Sequence, residues 1–283
     1  MGKLGLNFLL KKLKINKNAY LNYIKNIEKN RQKAMQKCKI LEKIKQIYHE
    51  NNGTPGYRMI CDELRNLGIK ISYTTVYKYM KELGLKSIVT QKYVYVKGEA
   101  HKVFKNLLNG DFKAFQPNQK WCIDFTYLTT KMNKKVYNCS IIDLYDRSIV
   151  ASVTGKFIDS NLAILAVKQA LLKVKNPQNI ILHSDQGSQF TSKAFSNFCK
   201  ENNILQSMSR AGKPTDNAPI ERFFGILKSE FYNLYTFKNI EILTKSLNNY
   251  IFTRYNLTRP HTYNNGKPPI VARSMYFKSK KSA

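Results

Sequence analysis

Three carboxylates stand in segments whose patterns would bring them to one edge of a sheet. Asp124 lies inside the alternating segment WCIDFTYL, Asp185 follows the apolar run NIILH, and Glu221 lies early in a predicted helix. A carboxylate within an apolar strand is costly unless it is paired or binds a metal, and strand ends in α/β sheets favour ligand and metal sites. Three carboxylates without a matching His or Cys suit Mg²⁺ or Mn²⁺. Because two such ions can activate a nucleophile and stabilise a leaving oxygen, these residues predict metal-dependent phosphodiester chemistry.

A lysine lies on the same predicted helix as Glu221. Lys228 is seven residues further on, which is two helical turns or about 10.5 Å along the axis. Both residues flank the apolar stripe that marks the buried face of this helix. The stripe consists of Ile220, Phe223, Phe224, Leu227 and Phe231. We therefore expect the Glu221 carboxylate to face the sheet edge and Lys228 to reach outward along bound DNA.

Each carboxylate also has an explanation that involves no chemistry. Asp124 could be a strand-edge residue, Asp185 a turn residue in Asp-Gln-Gly, and Glu221 a residue that favours the positive end of a helix dipole. Four other carboxylates compete with them for a site: Asp143, Asp146, Asp159 and Asp216. Asp216 fits a helix cap, whereas Asp143, on the second predicted strand, is the strongest competitor.

The elements around these residues begin with strands and then alternate between helix and strand. The pattern predicts an antiparallel meander of three strands, with a turn at Asp146 and Arg147 between the second and third. The elements predicted after it are a helix at Ser160–Val174, a strand at Asn179–His183, a helix from Thr191 or Ser192 to Lys200, a strand at Ile204–Gln206, and closing helices at Pro214–Tyr235 and Asn239–Tyr255. This order indicates an α/β sheet that is covered on both faces.

The first 98 residues are basic and helical in pattern. Asn16 fits the N-cap between two helices, and a further helix is predicted to start near Met35. Two short helices, Tyr57–Leu67 and Thr74–Leu83, are joined by a turn at Gly68. Together, at about residues 54–84, they have the shape of a helix-turn-helix.

The second helix of this unit would lie in the major groove of DNA. The side chains that it offers are Tyr73, Thr74, Thr75, Tyr77, Lys78 and Lys81. A plain helical bundle with solvated lysines explains the same pattern equally well.

The composition favours a nucleic acid partner. The chain has 283 residues, of which 43% are hydrophobic, and a formal net charge of +30. A charge of this size attracts polyanions. An anionic membrane surface is the alternative, but no segment has the apolar length that spans a bilayer. The five cysteines form no C-x-x-C pair and fit reduced core residues of a cytoplasmic protein.

Three motifs surround the carboxylates: WCIDFTY at Asp124, HSDQGSQFTS at Asp185 and DNAPIERFFGILKSE at Glu221. Thirty-five residues lie between Asp185 and Glu221. The segment YNLTRPHTYNNGKPP follows them, and LKINKNAYLNYIK and GTPGYRMICDELRNLGIKISYTTVYKYMKELGL precede them. Over nearly the whole chain, these motifs resemble those of the OrfB-type transposases of the insertion-sequence-three family. These are DDE transposases, which are related to retroviral integrases.

The resemblance implies an α/β fold. Its catalytic part would be an RNase H-like (integrase core) domain at residues 118–275. An N-terminal all-α helix-turn-helix region at residues 1–98 and a linker at residues 99–117 would precede this domain, and a basic tail at residues 276–283 would follow it.

The resemblance also implies roles for individual residues. Asp124, Asp185 and Glu221 would bind two Mg²⁺ or Mn²⁺ ions and catalyse cleavage and strand transfer at insertion-sequence ends, which favours Asp124 over Asp143 as the first ligand. Predicted DNA contacts in this domain are Lys228, Arg222, Arg259 and His261. His183 is as well explained by a place in the core as by a function.

The implied partners are double-stranded DNA, at element ends and at the target, and further copies of the chain. A small upstream helix-turn-helix protein, joined by frameshift fusion, is another, and no membrane is expected. The implied location is the bacterial cytoplasm, in association with the nucleoid. Two other functions remain open at this point: a DNA-binding protein with a silent RNase H-like domain, and a ribonuclease acting on RNA–DNA hybrids.

Overall fold

The computed structural model describes residues 6–88, 103–131, 134–174 and 178–281. The helices and strands are α1 (Leu6–Lys12), α2 (Lys17–Glu50), α3 (Tyr57–Asn66), α4 (Tyr73–Glu82), β1 (Lys120–Thr129), β2 (Lys135–Asp143), β3 (Ile149–Gly155), α5 (Ser160–Leu171), β4 (Ile180–Ser184), α6 (Ser188–Thr191), α7 (Lys193–Glu201), β5 (Ile204–Met208), α8 (Ala218–Glu230), α9 (Ile240–Asn249) and α10 (Pro269–Lys281). A π-helical segment, Tyr250–Thr258, continues α9. An all-α region therefore precedes an α/β region, as predicted.

The five strands form one sheet in the order β3-β2-β1-β4-β5. The first three pair antiparallel, which confirms the predicted meander, whereas β4 pairs in parallel with both β1 and β5. Buried polar side chains fix the register of the meander. Asn138 Nδ2 donates to Ser152 Oγ at 2.9 Å, and Ser140 Oγ donates to Asn138 Oδ1 at 2.7 Å. A slip of one residue would turn these side chains and their apolar neighbours to the opposite face.

The sheet has a hydrophobic core on each face. In β1, Trp121, Ile123 and Phe125 pack against the side covered by α5 and α7, whereas Cys122 and Leu128 pack against α8 and α9. This division follows from the alternation of side chains along a strand. Complete burial of a large apolar side chain contributes about 1.5–3 kcal/mol, so both faces hold the sheet in place between its helices.

Helix α2 is one continuous helix of 34 residues, so the prediction of a separate helix starting near Met35 was wrong. Neither glycine nor proline occurs within it to interrupt the helix. Asn16 caps it as predicted, because its Oδ1 accepts hydrogen bonds from the backbone N–H groups of Asn18 and Ala19 at 2.9 and 3.2 Å.

Helices α3 and α4 confirm the predicted helix-turn-helix shape. Ser72 caps α4, since its Oγ accepts a hydrogen bond from the Thr75 backbone N–H at 3.1 Å. Gly68 has a φ of +84°, the left-handed conformation that the end of α3 requires. Ile60 and Val76 are fully buried between these helices and α2, so the three helices share one small core.

Part of the predicted linker packs against the sheet domain instead of spanning solvent. Leu108 is buried in the core beneath α8, and the backbone N–H of Leu107 donates to Ser207 Oγ at 2.8 Å. Residues 103–117 therefore belong to the domain. The rest of the predicted linker, residues 99–102, lies outside the described residues.

Helix α10 crosses the predicted boundary between domain and tail. It extends from Pro269 to Lys281, so the prediction of a separate tail starting at residue 276 was wrong. Its Arg273 forms ion pairs with Asp143 and Asp146, whose side chains are fully buried. These pairs hold α10 against the ends of β2 and β3.

Two predictions about composition can be compared with the described residues. No helix in the described ranges is both long and apolar enough to cross a bilayer. All five cysteines are free thiols, four buried and Cys38 exposed. The prediction of core thiols is thus confirmed for four of them.

Candidate active site

Asp124 and Asp185 lie side by side where two parallel strands end. The pairing of β1 with β4 places Cys122 opposite His183, and the two aspartates follow two residues later on each strand. Neighbouring strands are about 4.8 Å apart, so this register brings the carboxylates together. Because β4 ends at Ser184, Asp185 lies just beyond the carboxyl end of the strand, where α/β sheets bind ligands.

A backbone N–H group orients each of these carboxylates. Asp124 Oδ1 accepts a hydrogen bond from the Phe125 N–H at 2.7 Å, and Asp185 Oδ1 accepts one from the Gly187 N–H at 2.9 Å. The second bond is an Asx-turn that redirects the chain after β4. The turn role of Asp185 is therefore compatible with a role in the site, because the hydrogen bond that forms the turn also orients the carboxylate.

Helix α8 covers the face of the sheet to which Asp124 belongs. Cys122 and Leu128 contact the core beneath α8, and the period-two alternation of a strand puts Asp124 on the same face. The helix buries Ile220 against this core, and the next residue, Glu221, is exposed in its first turn. The packing of α8 thereby brings the third carboxylate towards the first two.

The three carboxylates influence one another electrostatically. Burial and the Asp185 charge hold the pKa of Asp124 well above its usual value, and the Glu221 charge adds to this effect. Burial and Asp185 also raise the pKa of Glu221. A strand-edge aspartate or a helix-dipole glutamate would show no such mutual effect, since it arises from like charges held close together.

Lys228 lies on the same helix as Glu221 and interacts electrostatically with Asp124. Its side chain is half-buried. Burial lowers the pKa of Lys228, whereas the Asp124 charge raises it. Its amine is thus within electrostatic range of the Asp124 carboxylate, and a contact of Lys228 with DNA stays a prediction.

The donor chemistry of the cluster suits a hard divalent cation, although the side chains do not form a closed site. Within the described ranges, no three His, Cys, Asp or Glu side chains are close enough together to hold a metal ion. Every candidate donor is an oxygen, as Mg²⁺ prefers. Asn217, at the N-cap of α8, is buried, and both of its amide atoms lack a hydrogen-bond partner in the described structure. A buried amide without a partner is costly, and the sequence pattern did not distinguish Asn217 from an ordinary helix cap.

Asp216 does not cap α8, so that prediction was wrong. Its carboxylate accepts hydrogen bonds from Arg210 Nε and Nη2, both at 2.9 Å, and from Asn106 Nδ2 at 3.0 Å. Arg210 holds the pKa of Asp216 well below its usual value. The ion pair joins the loop after β5 to the start of α8 and so helps to place the helix that carries Glu221.

His183 is a core histidine. It is fully buried, and its Nδ1 lies 2.8 Å from Ser207 Oγ. Burial lowers the pKa of His183 to about 4, so the ring is neutral near pH 7. These observations favour the core explanation over a functional one.

Asp143, the strongest competitor, is occupied by structural contacts. Its Oδ2 accepts hydrogen bonds from Arg273 and from the Asn118 N–H, and its Oδ1 accepts one from the Tyr145 N–H at 2.9 Å. It pairs with Trp121, three residues before Asp124 and so about 10 Å along the strand. Asp143 therefore holds α10 and lies away from the carboxylate cluster.

The burial of Arg259 and His261 argues against the DNA contacts predicted for them. Both are buried, at 8% and 6% exposure. Arg259 donates through Nε and Nη2 to the two Glu230 carboxylate oxygens at 2.8 and 2.7 Å, and the His261 ring packs edge-on against Tyr255 at 4.7 Å. A guanidinium that is buried and fully engaged by a carboxylate cannot reach a phosphate without breaking that pair.

The buried state of His261 predicts a pH-dependent stability. Burial and the Arg259 charge lower the pKa of His261 from 6.5 to about 3, so the unfolded chain binds the proton more tightly. The stability that neutral His261 contributes to the fold is complete above the pKa of the unfolded chain and is lost as the pH falls below it. Below about pH 6, this residue alone should reduce the free energy of unfolding by about 1.4 kcal/mol per pH unit.

Urea unfolding of the wild type and of His261→Gln between pH 7 and pH 5 measures this effect. We expect the variant to lose less stability than the wild type over this range. Parallel curves for the two proteins would contradict a neutral, buried His261.

Helix α4 presents most of its predicted DNA-contacting side chains to solvent. Tyr73, Thr74, Tyr77, Lys78 and Lys81 are exposed, whereas Thr75 is half-buried. The Tyr73 hydroxyl donates to Asp62 Oδ1 at 2.7 Å, and Arg65 lies over its ring at 4.4 Å. Arg222, next to Glu221 on α8, is also exposed.

Comparisons with known proteins agree over most of the chain. Two models described as integrase core domains match residues 114–214 and 202–269, and an HTH-like domain model matches residues 35–93. The chain is 34% identical over 273 residues to the putative transposase InsK of insertion sequence IS150 from Escherichia coli K12, covering 96% of this chain and 94% of that protein. It is 36% identical over 216 residues to the transposase InsF of IS3A from the same organism, covering 76% of this chain and 75% of that protein.

Among solved structures, the HTLV-2 integrase catalytic core domain in complex with magnesium matches with a TM-score of 0.44 and 22% identity, covering 56% of this chain and 98% of that chain.

Proposed function

The chain belongs to the insertion-sequence-three family of DDE transposases, and on that premise we propose that Asp124, Asp185 and Glu221 are its catalytic carboxylates. The protein is thus a polynucleotidyl transferase acting in DNA transposition and integration. The observation that carries the proposal is the parallel register of β1 with β4, which places Asp124 beside Asp185. The pKa shifts support it, because the charge of Asp185 adds to burial in raising the pKa values of both Asp124 and Glu221.

In the proposed mechanism, the carboxylates of Asp124, Asp185 and Glu221 would hold two Mg²⁺ or Mn²⁺ ions beyond the end of β4. When bound, such ions activate the attacking oxygen and stabilise the leaving oxygen of a phosphodiester. The Phe125 and Gly187 N–H groups keep Asp124 and Asp185 oriented. Lys228, beside Asp124, donates hydrogen bonds to the phosphate that is cleaved. During nicking, water would attack the phosphorus and the P–O3′ bond would break, which leaves a free 3′-hydroxyl on the DNA. During joining, that 3′-hydroxyl would attack a phosphodiester of the target, whose own P–O3′ bond breaks and releases a new 3′-hydroxyl.

A strand-transfer assay with Glu221→Gln tests the assignment of the third carboxylate. Glutamine keeps the size of the side chain but removes the charge that binds a cation. We expect the wild type to nick and join duplexes carrying the element ends in Mg²⁺ or Mn²⁺, and to do neither in EDTA. The variant should lose at least about 10²-fold in rate, as expected when one preorganised electrostatic group is removed, and should bind the same duplexes normally.

Glu201→Gln is a suitable control, because Glu201 is exposed at the end of α7, on the opposite face of the sheet. Equal activity of wild type and Glu221→Gln would remove Glu221 from the site. If the wild type binds the duplexes without any chemistry, even when joined to an upstream partner, the protein is a silent DNA-binding protein.

We further propose that α4 contacts DNA in the major groove through its exposed side chains, Lys78 and Lys81 among them. Each lysine that neutralises a phosphate steepens the fall of affinity with salt. Replacing both with alanine should therefore reduce the slope of log K against log salt concentration by about 2. Fluorescence anisotropy between low and moderate salt measures the slope, and Lys200→Ala, an exposed change on α7, is the matched control. An unchanged slope would place the DNA elsewhere.

The proposed partners are double-stranded DNA, further copies of the chain assembled on paired element ends, and a small upstream helix-turn-helix protein joined by frameshift fusion. The net charge of +30 supports the first of these. Action on chromosomal DNA corresponds to a location at the bacterial nucleoid.

A further inference from the structure

The helix-turn-helix unit is joined to the catalytic domain by polar contacts along one side of α3. Arg254, in the π-helical segment, pairs with Glu63 at 2.7 Å, and both side chains are largely buried. At the end of α3, Asn66 Nδ2 donates to the Gly266 carbonyl at 3.2 Å. Before α3, Asn52 Nδ2 donates to the Tyr235 hydroxyl at 2.7 Å. Three separate contacts are enough to fix one rigid body on another.

The backbone at Gly266 approaches α3 so closely that no side chain fits between them. Gly266 has a φ of +79°, and a Cβ atom there would lie 2.9 Å from Asp62 Cγ. The same Asp62 accepts the hydrogen bond from the Tyr73 hydroxyl at 2.7 Å. Tyr73, the first residue of α4, is thereby linked through the Asp62 carboxylate to the catalytic domain at Gly266.

On the catalytic side, the contacts lead to the helix that carries Glu221. Arg254 lies in the π-helical segment, and Arg259, the residue that follows the segment, forms the bidentate pair with Glu230 at the end of α8. The charges of Arg259 and Glu230 both affect the pKa of Glu63. The two ion pairs therefore form one charge cluster between α3 and α8, which we call the interdomain clamp: Glu63, Arg254, Arg259 and Glu230.

A buried charge cluster is a poor source of stability, because removing charges from water offsets most of their attraction. Its best-supported use is to fix one arrangement among several similar ones. Apolar contacts alone would allow α3 to slide or rotate on the π-helical segment. Bidentate and directional hydrogen bonds do not allow this, because they are satisfied in one orientation only.

We propose that Glu63 and Arg254 are positioning residues for DNA cleavage, which hold the helix-turn-helix unit at a fixed distance from the catalytic carboxylates. DNA bound by α4 then presents one phosphate to the active site, and the clamp determines which phosphate is cut. This inference rests on the proposed catalytic and DNA-binding roles, and it adds residues that touch neither DNA nor the reacting atoms.

The test maps cleavage positions on end-labelled duplexes carrying the element end, beside an unrelated duplex of equal length. The full-length proteins are the wild type, Arg254→Glu, Glu63→Arg and the double charge swap. Lys245→Glu, an exposed change of the same charge on α9, is the matched control. Thermal melting confirms which variants are folded.

We expect the wild type and Lys245→Glu to cut the element end at one phosphate. Arg254→Glu should cut there about 10²-fold more slowly, the cost of a misplacement of about 1 Å, and should spread its cuts over neighbouring phosphates. Its slower, unspecific nicking of the unrelated duplex should stay at the wild-type rate. The double swap should restore the single cut, because the pair is re-formed with reversed charges.

Two results would overturn the proposal. The first is a single cut at the wild-type rate by Arg254→Glu. The second is an equal loss on both duplexes that the double swap does not restore, which would mean that Arg254 only supports the fold of the catalytic domain. A parallel measurement with Asp185→Asn distinguishes a failure of the clamp proposal from a failure of the proposed active site. If nicking survives that change, the carboxylate assignment fails, while the cleavage positions still report on the clamp.

Discussion

Replacing Asp124 with asparagine is expected to reduce strand transfer at least about 10³-fold, the upper range for losing one preorganised electrostatic group. The amide has the same shape as the carboxylate but carries no charge to bind a cation. Binding of end duplexes should be retained, because Asp124 lies in the catalytic domain and not on α4. Joined products resolved on a denaturing gel in Mg²⁺ measure the rate, and anisotropy measures the binding.

Asp124→Asn is expected to lower the activity but not the stability of the protein. Burial and Asp185 raise the pKa of Asp124 in the folded protein, so the charged carboxylate opposes folding near neutral pH. Without divalent cations, Asp124→Asn should therefore melt at the same temperature as the wild type or higher. A loss of activity together with a lower melting temperature would indicate misfolding rather than loss of a catalytic group.

Asp143→Asn is the matched control on the neighbouring strand. Asp143 is fully buried and pairs with Arg273, so its replacement should lower the melting temperature by leaving a buried guanidinium short of its partner. Below that temperature, its strand-transfer rate should stay close to that of the wild type. If Asp143→Asn instead loses as much activity as Asp124→Asn while remaining stable, the first catalytic carboxylate has been assigned to the wrong strand.

Replacing Arg259 with alanine is expected to reduce the free energy of unfolding by about 3–5 kcal/mol, the usual cost of removing one partner of a buried ion pair. The change leaves the Glu230 carboxylate buried without its bidentate partner. It also removes the packing of the guanidinium near Tyr255. Urea unfolding measures the loss, with the free energy of unfolding obtained from its linear dependence on urea concentration.

DNA binding distinguishes this structural role from the contact predicted for Arg259 by resemblance. A phosphate contact would reduce the salt slope of affinity by about 1 when it is removed. We expect the slope for Arg259→Ala to equal that of the wild type, at a temperature where the variant is folded. A stable variant with a smaller slope would restore Arg259 as a DNA contact.

The sheet and the carboxylate positions could be predicted because each depends on local patterns. Period-two alternation marks β1, and an apolar stripe marks α8. The antiparallel pairing of the first three strands was predicted as well, because consecutive strands separated by short turns pair with each other. Asp124 was found as an exception to the apolar pattern around it, and Glu221 by its place beside the apolar stripe of α8.

Partners far apart in sequence could not be predicted in the same way. Arg259 is one of many basic residues in a chain of +30, and nothing near it indicates that Glu230 neutralises it. The contacts of Asp143 with Arg273, and of Arg254 with Glu63, join different elements and appear only once the fold is complete. Asn217 gave no signal either, since an asparagine before a helix is ordinarily explained as a cap.

On the proposed assignment of the catalytic carboxylates, the parallel pairing of β1 with β4 also sets the point in synthesis at which a chain could cut DNA. Strands β1, β2 and β3 follow one another and pair locally, so they can associate as soon as β3 has left the ribosome. Parallel pairing needs a long connection, here through the meander and α5, and such distant contacts form slowly. Until β4 is in place, Asp124 has no second carboxylate beside it, and Glu221 follows only with α8. On that assignment, a growing chain brings its three carboxylates together only when most of its catalytic domain has been made.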